Sequence, residues 1–237
     1  MGIENFLATK KAEASEWTAR KYYISLSSAF ETAKRWNYIK ENPFRKVQKP
    51  KVRELQPLFF TKDEMKSLLN VIEDVQLKNL CLVAVSTGLR LGELLNLQWS
   101  DIDLISKVIH IRNSETFTTK SRKNRSLPMS DQLAMAFIQM KESSGSELLF
   151  HSLGKRLSAD WVSKTFKSYV RRLVLNDKLH FHSLRHTFAS WLVQDGVSLY
   201  EVQKLLGHSN IAVTQVYSHL QPETLHKTVN KISIPMN

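Results

Sequence analysis

The sequence has few of the residues that mark secreted, membrane or disordered chains. Its 237 residues include one cysteine, Cys81 in the apolar run "NLCLVAV", which excludes a disulfide framework and predicts a buried thiol. Seven glycines and six prolines beside 42% hydrophobic residues exclude a disordered tail. No apolar run approaches the ~20 residues of a membrane helix, and no basic start followed by an apolar core indicates a secretory signal. We therefore expect a folded cytoplasmic protein without a membrane partner.

Acidic residues are scarce as well. The chain has 34 Lys and Arg against 22 Asp and Glu, a net charge of +12 at pH 7. Residues 1–60 hold 12 basic and 6 acidic residues, so half of the excess lies in the first quarter of the chain. Such a balance favours a polyanionic partner such as nucleic acid over a merely soluble basic surface.

The first part of the chain reads as a short helical arm followed by a basic linker. Apolar residues recur at three- and four-residue steps over residues 14–40, which predicts a helix. The stretch "ENPFRKVQKPKVRELQP" then combines three prolines with repeated basic residues, a composition typical of a linker that can lie along phosphates. We predict an arm over 1–46 and a linker over 47–57. The candidate DNA contacts here are Arg45, Lys46, Lys49 and Lys51.

A larger domain is predicted over residues 58–237. Thr61 and Glu64 form the pattern of a capping box, and Gly88 ends the second helix of this domain. "LQWSDIDL", "VIHIR" and "RSLPM" resemble three short strands, and from Asp131 onward the pattern is helical again. The expected fold is mainly α with a small antiparallel β-sheet (α+β).

Arg90 follows the helix stop in "STGLRLGEL". It could pair with Glu93 on a helix surface. It could equally project from a fixed backbone corner and hold two oxygens of one phosphate with its planar guanidinium. The residues alone leave both interpretations open.

The stretch "TTKSRKNRSLP" places four basic residues between two predicted strands. A loop this basic is more often solvated or close to DNA than catalytic. A lysine in it could still protonate the leaving oxygen of a broken phosphodiester if its pKa were lowered. The residues concerned are Lys120, Arg122, Lys123 and Arg125.

Three histidines and an arginine crowd the stretch "LHFHSLRHTFASWL". His182 and His186 have the spacing of a zinc-binding pair, but Ser183 replaces the glutamate of a metalloprotease and Arg185 would repel a cation. No metal or cofactor is therefore expected. His182 and Arg185 near a helix start favour an anion such as phosphate, and His186 is expected to support them.

The stretch "LLGHSNIAVTQVYSH" contains His208 and Tyr217. Beside valines and a leucine, Tyr217 could be a core aromatic or a nucleophile. A tyrosine of pKa ≈ 10 is only about a thousandth ionised at pH 7, so a nucleophilic tyrosine needs cationic neighbours. One unbroken helix would separate the two residues by ~13 Å on opposite faces. Gly207 predicts instead that His208 lies in a turn and Tyr217 on a separate short helix.

Taken together, these segments resemble the catalytic domain of the tyrosine recombinase (phage integrase) family. The resemblance covers about residues 57–220 and keeps the family order of the motifs. The matching segments are "TGLRLGEL" with Arg90, "TK" with Lys120, "HSLRH" with His182 and Arg185, "LLGHS" with His208, and "VTQVYSH" with Tyr217.

The resemblance implies a site-specific recombinase that cuts and rejoins DNA strands without metal or external energy. Tyr217 would attack a phosphate, forming a 3′-phosphotyrosyl link and releasing a 5′-hydroxyl. Arg90 and Arg185 would stabilise the charge of the pentacoordinate state, with Glu93 orienting Arg90. Lys120 would be the general acid.

The same resemblance assigns the two remaining histidines. His182 would assist proton transfer at the tyrosine, and His208 would bind a phosphate oxygen.

The resemblance also sets expectations about assembly. Double-stranded DNA is the partner, with a homotetramer on DNA joined by the C-terminal tail and a monomer in free solution. The arm is shorter than in most members, either truncated or reduced. A bacterial or phage-encoded, nucleoid-associated protein is implied.

Other classes of function remain to be weighed. They are a silent DNA-binding regulator of the same fold, a relaxing enzyme like the type IB topoisomerases, and a metal nuclease. A metal nuclease would need carboxylates near the histidines, which the sequence does not offer.

Overall fold

The computed structural model describes residues 2–52, 56–113, 124–142 and 145–222. The chain divides into two compact units, Met1–Leu55 and Gln56–Asn237. Within the described residues, no helix is both long and apolar enough to cross a bilayer.

The first unit contains two helices, α1 (Ile3–Glu13) and α2 (Glu16–Arg35). The sequence predicts α2 but not α1, whose single buried residue, Leu7, leaves little apolar periodicity to detect. α2 begins where the Ser15 hydroxyl accepts a hydrogen bond from the backbone N–H of Thr18 at 3.1 Å.

The segment that follows α2 packs onto the same unit. A 3-10 helix, Pro43–Lys46, buries Phe44 against the rings of Tyr23 and Phe30, with centroids 5.5 Å apart in each case. The Tyr23 hydroxyl donates to the carbonyls of Phe44 and Val47 at 3.1 and 3.2 Å. The boundary predicted at residue 47 therefore falls inside a packed segment, because a buried aromatic residue interrupts the basic stretch.

The second unit is mainly helical. Seven α-helices and three 3-10 helices lie in its described residues. The α-helices are α3 (Lys62–Val71), α4 (Val75–Thr87), α5 (Leu91–Leu95), α6 (Asp131–Glu142), α7 (Ala159–Arg172), α8 (Ser183–Gln194) and α9 (Leu199–Leu206), and the 3-10 helices are Trp99–Asp101, Ile211–Val213 and Gln215–Leu220.

The predicted helix ends are confirmed. α3 begins with the Thr61–Glu64 capping box and α9 with a second box, Ser198–Glu201. α4 and α9 end at Gly88 and Gly207, with φ of 64° and 66°, the left-handed conformation that glycine adopts without strain.

The predicted three-stranded sheet is confirmed. β1 (Ile102–Asp103), β2 (Val108–Ile111) and β3 (Arg125–Pro128) are antiparallel in the order β1-β2-β3. The expectation that the chain after Asp131 is only helical is wrong. A hairpin of β4 (His151–Ser152) and β5 (Lys155–Arg156) lies there, too short and too exposed to show an apolar alternation.

The core centres on α4 and α8. The backbone N–H of Phe60 donates to the buried hydroxyl of Thr187 at 3.0 Å, and the Trp191 indole donates to the carbonyl of Phe60 at 3.0 Å. Cys81 is fully buried, as predicted, and burial raises the pKa of its thiol. A second apolar cluster joins α8 and α9 to the last 3-10 helix and contains Tyr217.

Candidate active site

Arg185 lies in the first turn of α8 and is 3% exposed. Its guanidinium donates to the carbonyl of Gly88 at 2.6 Å and to that of Leu206 at 2.7 Å. These carbonyls belong to the C-terminal ends of α4 and α9, where helix dipoles favour a positive charge. Two helix ends thus stabilise a buried cation that pairs with no carboxylate in the hydrogen bonds of the described residues.

Gly88 allows these elements to approach. A Cβ at this position would lie 2.4 Å from Cδ1 of Phe188 and 2.8 Å from Cδ2 of Leu206. The left-handed turn at Gly88 directs the chain into Arg90, the residue that precedes α5. The predicted backbone corner is therefore present.

Arg90 is held by Glu93 in two ways. Its backbone N–H donates to Oε2 of Glu93 at 2.9 Å, and its Nη1 donates to Oε1 at 3.2 Å. The Arg90 side chain is 24% exposed and Glu93 is buried. The pairing with Glu93 is therefore confirmed, and the binding of a phosphate by Arg90 stays a prediction.

Arg125 is the second partner of Glu93. It donates from Nη1 to Oε1 and from Nη2 to Oε2, both at 2.9 Å. Burial alone would raise the pKa of Glu93, but hydrogen bonds and positive charge from Arg125 and Arg90 outweigh it and hold that pKa below its ordinary value. The sequence predicts Arg125 as a DNA contact in an exposed loop. Its side chain is only 14% exposed and belongs to the site, because it opens β3.

Gly207 and His208 form the turn after α9. A Cβ on Gly207 would lie 2.8 Å from Nε of Arg125, so the guanidinium of Arg125 packs directly against this turn. Nδ1 of His208 is 2.9 Å from the buried hydroxyl of Thr214, which fixes the plane of the ring. As predicted, His208 lies in a turn, and Tyr217 lies on a separate 3-10 helix, Gln215–Leu220.

Tyr217 is 2% exposed, and its hydroxyl lies 2.7 Å from Nδ1 of His186. The sequence predicts His182 as the group that assists the tyrosine, and the ring found against the hydroxyl is that of His186. His186 is one turn further along α8 than His182, on the side that faces the 3-10 helix. The two histidine rings are perpendicular, with centroids 5.0 Å apart.

The charges of this cluster are unbalanced. Three arginines, Arg90, Arg125 and Arg185, surround one carboxylate, that of Glu93. Burial, followed by the neighbouring Arg90, lowers the pKa of Arg185 to about 9. Burial and the three arginines lower the pKa of His208 to about 4. Such a site gains stability when an anion binds.

Comparison with known proteins assigns the chain and its fold to a family. The sequence profile described as the phage integrase family matches residues 58–224. The chain belongs to the phage integrase family. A relative in this family, tyrosine recombinase XerC of Escherichia coli, is 35% identical over 207 residues, which cover 83% of this chain and 67% of XerC.

Two solved structures show the same fold as this member of the phage integrase family. The Tn1549 transposon integrase, in complex with a circular intermediate DNA, has a TM-score of 0.80 at 23% identity, with 97% of this chain and 84% of that chain covered. A lambda integrase tetramer bound to a Holliday junction has a TM-score of 0.69 at 25% identity, with coverage of 88% and 63%. The predicted family and fold class are confirmed.

The structure brings together most of the predicted site residues of this family member. Arg90 pairs with Glu93 and His186 contacts Tyr217, while Arg185 is within electrostatic reach of Arg90, Glu93 and Tyr217, and His208 of the three arginines. His182 is exposed beside His186, at the residue that precedes α8.

Three predicted residues, Lys120, Arg122 and Lys123, lie outside the described residues, as does the tail after residue 222. Arg45 and Lys46 are mostly exposed in the first unit, in contact with Glu31 and Glu41 at 3.4 Å, and Lys49 and Lys51 are exposed. Among the residues that the structure describes, no group of three or more His, Cys, Asp and Glu could hold a metal ion.

The predicted site does not include Thr214, and it places Arg125 in the loop before β3. A threonine three residues before the tyrosine carries no pattern of its own. The place of Arg125 at the start of β3 could have been found from "RSLPM", since the first residue of a strand belongs to the sheet and not to the loop before it.

Proposed function

We propose that this chain is a site-specific DNA recombinase that breaks and rejoins strands through a 3′-phosphotyrosyl link to Tyr217. One observation carries the proposal. The Tyr217 hydroxyl contacts His186, the neighbour of Arg185, and Arg185 lies within electrostatic reach of Tyr217, Arg90, Arg125 and Glu93. A phosphodiester is the anion that suits both the arginines and a nucleophilic hydroxyl.

The free protein does not activate the tyrosine by itself. Burial raises the pKa of Tyr217 to about 12, with Arg185 acting in the opposite direction. At pH 7 that leaves about one hydroxyl in 10⁵ ionised, a barrier contribution of about 7 kcal/mol. We infer that cleavage requires the bound phosphate and a proton acceptor, which protects the nucleophile from side reactions before DNA is bound.

Arg90 and Arg185 are proposed to bind the non-bridging oxygens of the phosphate. A guanidinium presents donors in a planar fork that fits two such oxygens. Charge-assisted hydrogen bonds of this kind contribute about 1.5–3 kcal/mol each and strengthen as charge develops in the transition state. Glu93 and Arg125 would hold Arg90 in place for this contact.

His208, with its ring oriented by Thr214, is proposed to bind a phosphate oxygen. His182, exposed before the first turn of α8, would contact the same phosphate. Lys120 is proposed as the general acid that protonates the leaving 5′-oxygen. The positive charge of the three arginines supports a reaction that needs no metal ion.

Double-stranded DNA is the proposed partner. The exposed cations of the first unit, Arg45, Lys46, Lys49 and Lys51, are proposed to contact phosphates, together with Arg122 and Lys123. The lambda integrase tetramer on a Holliday junction supports a homotetramer of this chain on DNA, with contacts through the C-terminal tail. We propose the bacterial nucleoid as the place of action, since XerC of Escherichia coli is a relative.

The test is covalent trapping on a nicked suicide substrate. Tyr217→Phe should give no protein–DNA adduct while the dissociation constant for DNA changes less than about threefold. The matched control is Tyr200→Phe, a tyrosine that is 61% exposed, which should form adduct at the wild-type rate. Undiminished adduct in Tyr217→Phe would exclude Tyr217 as the nucleophile. DNA binding without adduct in the wild type would indicate a silent regulator instead.

A further inference from the structure

We propose that His186 is the base that accepts the proton of Tyr217 during strand cleavage and returns it during strand rejoining. The inference rests on the proposed function, because it assumes that Tyr217 is the nucleophile. It goes beyond that function by naming the group on the nucleophile side of the reaction.

The contact between the two residues carries the proposal. Nδ1 of His186 lies 2.7 Å from the Tyr217 hydroxyl, the distance of a short hydrogen bond between an O–H donor and an imidazole acceptor. The hydroxyl sits on a residue that is 2% exposed, packed in the apolar cluster between α8, α9 and the last 3-10 helix. Bulk water is therefore excluded as the proton acceptor, and the imidazole takes that place.

The surroundings of His186 keep its ring neutral. Burial comes first, followed by His182, His180 and Arg185, and together they lower the pKa of His186 to about 4. Within the part of the chain that the structure describes, these three groups and Tyr217 are the titratable groups found near the ring. A neutral imidazole that accepts at Nδ1 carries its own proton on Nε2, so it can take a second proton, whereas an imidazolium could not.

The bound substrate changes this balance in the required direction. A phosphodiester at Arg90 and Arg185 brings a negative charge next to the ring, and more charge develops on the phosphoryl oxygens as the reaction proceeds. Negative charge favours the imidazolium form, while bond formation to phosphorus makes the phenol more acidic. The proton therefore moves only when the nucleophile attacks.

The step is balanced in atoms and charge. The Oη of Tyr217 forms a bond to phosphorus as the bond from phosphorus to the 5′-oxygen breaks. The phenolic proton passes to Nδ1 of His186, and the 5′-oxygen takes a proton from a separate general acid. In rejoining, a 5′-hydroxyl attacks the phosphorus and gives its proton to the conjugate base of that general acid, while the bond from phosphorus to Oη breaks and His186 returns its proton to the leaving phenolate.

The test separates the nucleophile side of the reaction from the leaving-group side. Single-turnover cleavage is measured on two nicked substrates, one ordinary and one with a 5′-bridging phosphorothiolate, whose sulfur leaves without protonation. His186→Asn keeps a hydrogen-bond acceptor near the position of Nδ1 but cannot take the proton. We expect it to slow cleavage at least about 100-fold on both substrates, the usual contribution of a general base. The control is His219→Gln, which changes an exposed histidine on the 3-10 helix of Tyr217 and should cleave at the wild-type rate.

Two results would overturn the proposal. Wild-type cleavage by His186→Asn would mean that His186 only positions the tyrosine. Full rescue by the phosphorothiolate would place His186 on the leaving group. Melting temperature and DNA affinity show whether the variant is folded, and His186→Gln, with the same amide on a longer side chain, replaces it if it is not.

A second measurement addresses the proton directly. Trifluorotyrosine at position 217 has a more acidic phenol and needs a base less. It should restore cleavage by His186→Asn at least tenfold while changing the wild-type rate less, and equal effects in both proteins would contradict the proposal. Tyr217→Phe in the same assay keeps the two claims apart, because adduct in that variant refutes the nucleophile itself, whereas wild-type cleavage by His186→Asn refutes only the base.

Discussion

The carboxylate of Glu93 accepts two parallel hydrogen bonds from the guanidinium of Arg125, both at 2.9 Å. The same carboxylate binds Arg90 through its backbone N–H and its side chain. One buried acid therefore connects β3 to the turn that precedes α5. The arginine proposed to bind phosphate owes its position to a second arginine that pairs with the same acid.

Removal of Arg125 should destabilise the protein and slow cleavage. Arg125→Ala leaves the buried Glu93 with Arg90 as its one hydrogen-bonded cation. Breaking a buried ion pair lowers the free energy of unfolding by about 3–5 kcal/mol, and the remaining pairing with Arg90 should reduce that loss. Arg125→Lys keeps the charge but loses the fork, so its free energy of unfolding should fall between those of the wild type and Arg125→Ala. Urea denaturation measures the free energies of unfolding of both variants. Lys164→Ala, which breaks an exposed pair with Asp160, should leave the free energy of unfolding close to that of the wild type.

Gly207→Ala should lower the free energy of unfolding by more than backbone strain alone would. The residue has φ of 66°, and a Cβ there would also lie 2.8 Å from Nε of Arg125. Gly196→Ala is the matched control, since Gly196 has φ of 85° and no neighbour within 4 Å of a Cβ. We expect about 1–2 kcal/mol of destabilisation from strain alone in the control and more in Gly207→Ala. Cleavage should slow only in Gly207→Ala, because only there must Arg125 move.

Stability should fall as the pH drops from about 6.5 to 4. Burial first, then nearby positive groups, lower the pKa values of His186 and His208 to about 4 in the folded protein. Between that value and the ordinary 6.5, the unfolded chain binds more protons than the folded one, so the free energy of unfolding rises with pH across this window. Thermal melting at several pH values measures the slope. His186→Asn should make this slope shallower, with the remaining slope contributed by His208, and equal slopes in the wild type and His186→Asn would contradict a lowered pKa of His186 in the folded protein.

Tyr23→Phe should loosen the segment that follows α2. Its hydroxyl donates to two backbone carbonyls of that segment, at Phe44 and Val47. Without it, trypsin should cut faster after Arg45 and Lys46, as seen by mass spectrometry of the early fragments. Tyr38→Phe is the control because Tyr38 is 78% exposed, and an equal change in both variants would show that the hydroxyl of Tyr23 does not hold the segment.

Cys81 should resist thiol reagents in the native protein and react fully in denaturant. Burial raises the pKa of this thiol, and only the thiolate is reactive. Because the chain has one cysteine, the modification rate reports opening of the core around α4. A Ser152→Cys variant, with a thiol on the exposed β4–β5 hairpin, should show one fast-reacting group in the same assay.

Features that depend only on residues close together in the sequence could be predicted. The capping boxes at Thr61 and Ser198 and the helix stops at Gly88 and Gly207 need only three or four residues to be recognised, and all four are present. The family could also be predicted, because the order and spacing of the site motifs can be read directly from one sequence.

Features that depend on distant contacts could not be predicted. The pattern "RSLPM" can place Arg125 at the start of a strand, but its pairing with Glu93, 32 residues earlier, leaves no mark in the sequence. The contact of His186 with Tyr217 spans 31 residues and depends on how the last 3-10 helix packs against α8. The hairpin β4–β5 lacks apolar residues to bury, so no pattern in the sequence marks it.

The two hydrogen bonds of Phe60 have a mechanical consequence. They join the entry of the second unit to Thr187 and Trp191, in the helix that also carries Arg185 and His186. Tension on the chain ahead of Phe60 is therefore borne by α8, and Thr187 is the residue directly after His186. A load applied at the start of this unit reaches the helix of Arg185 and His186 directly through these two hydrogen bonds.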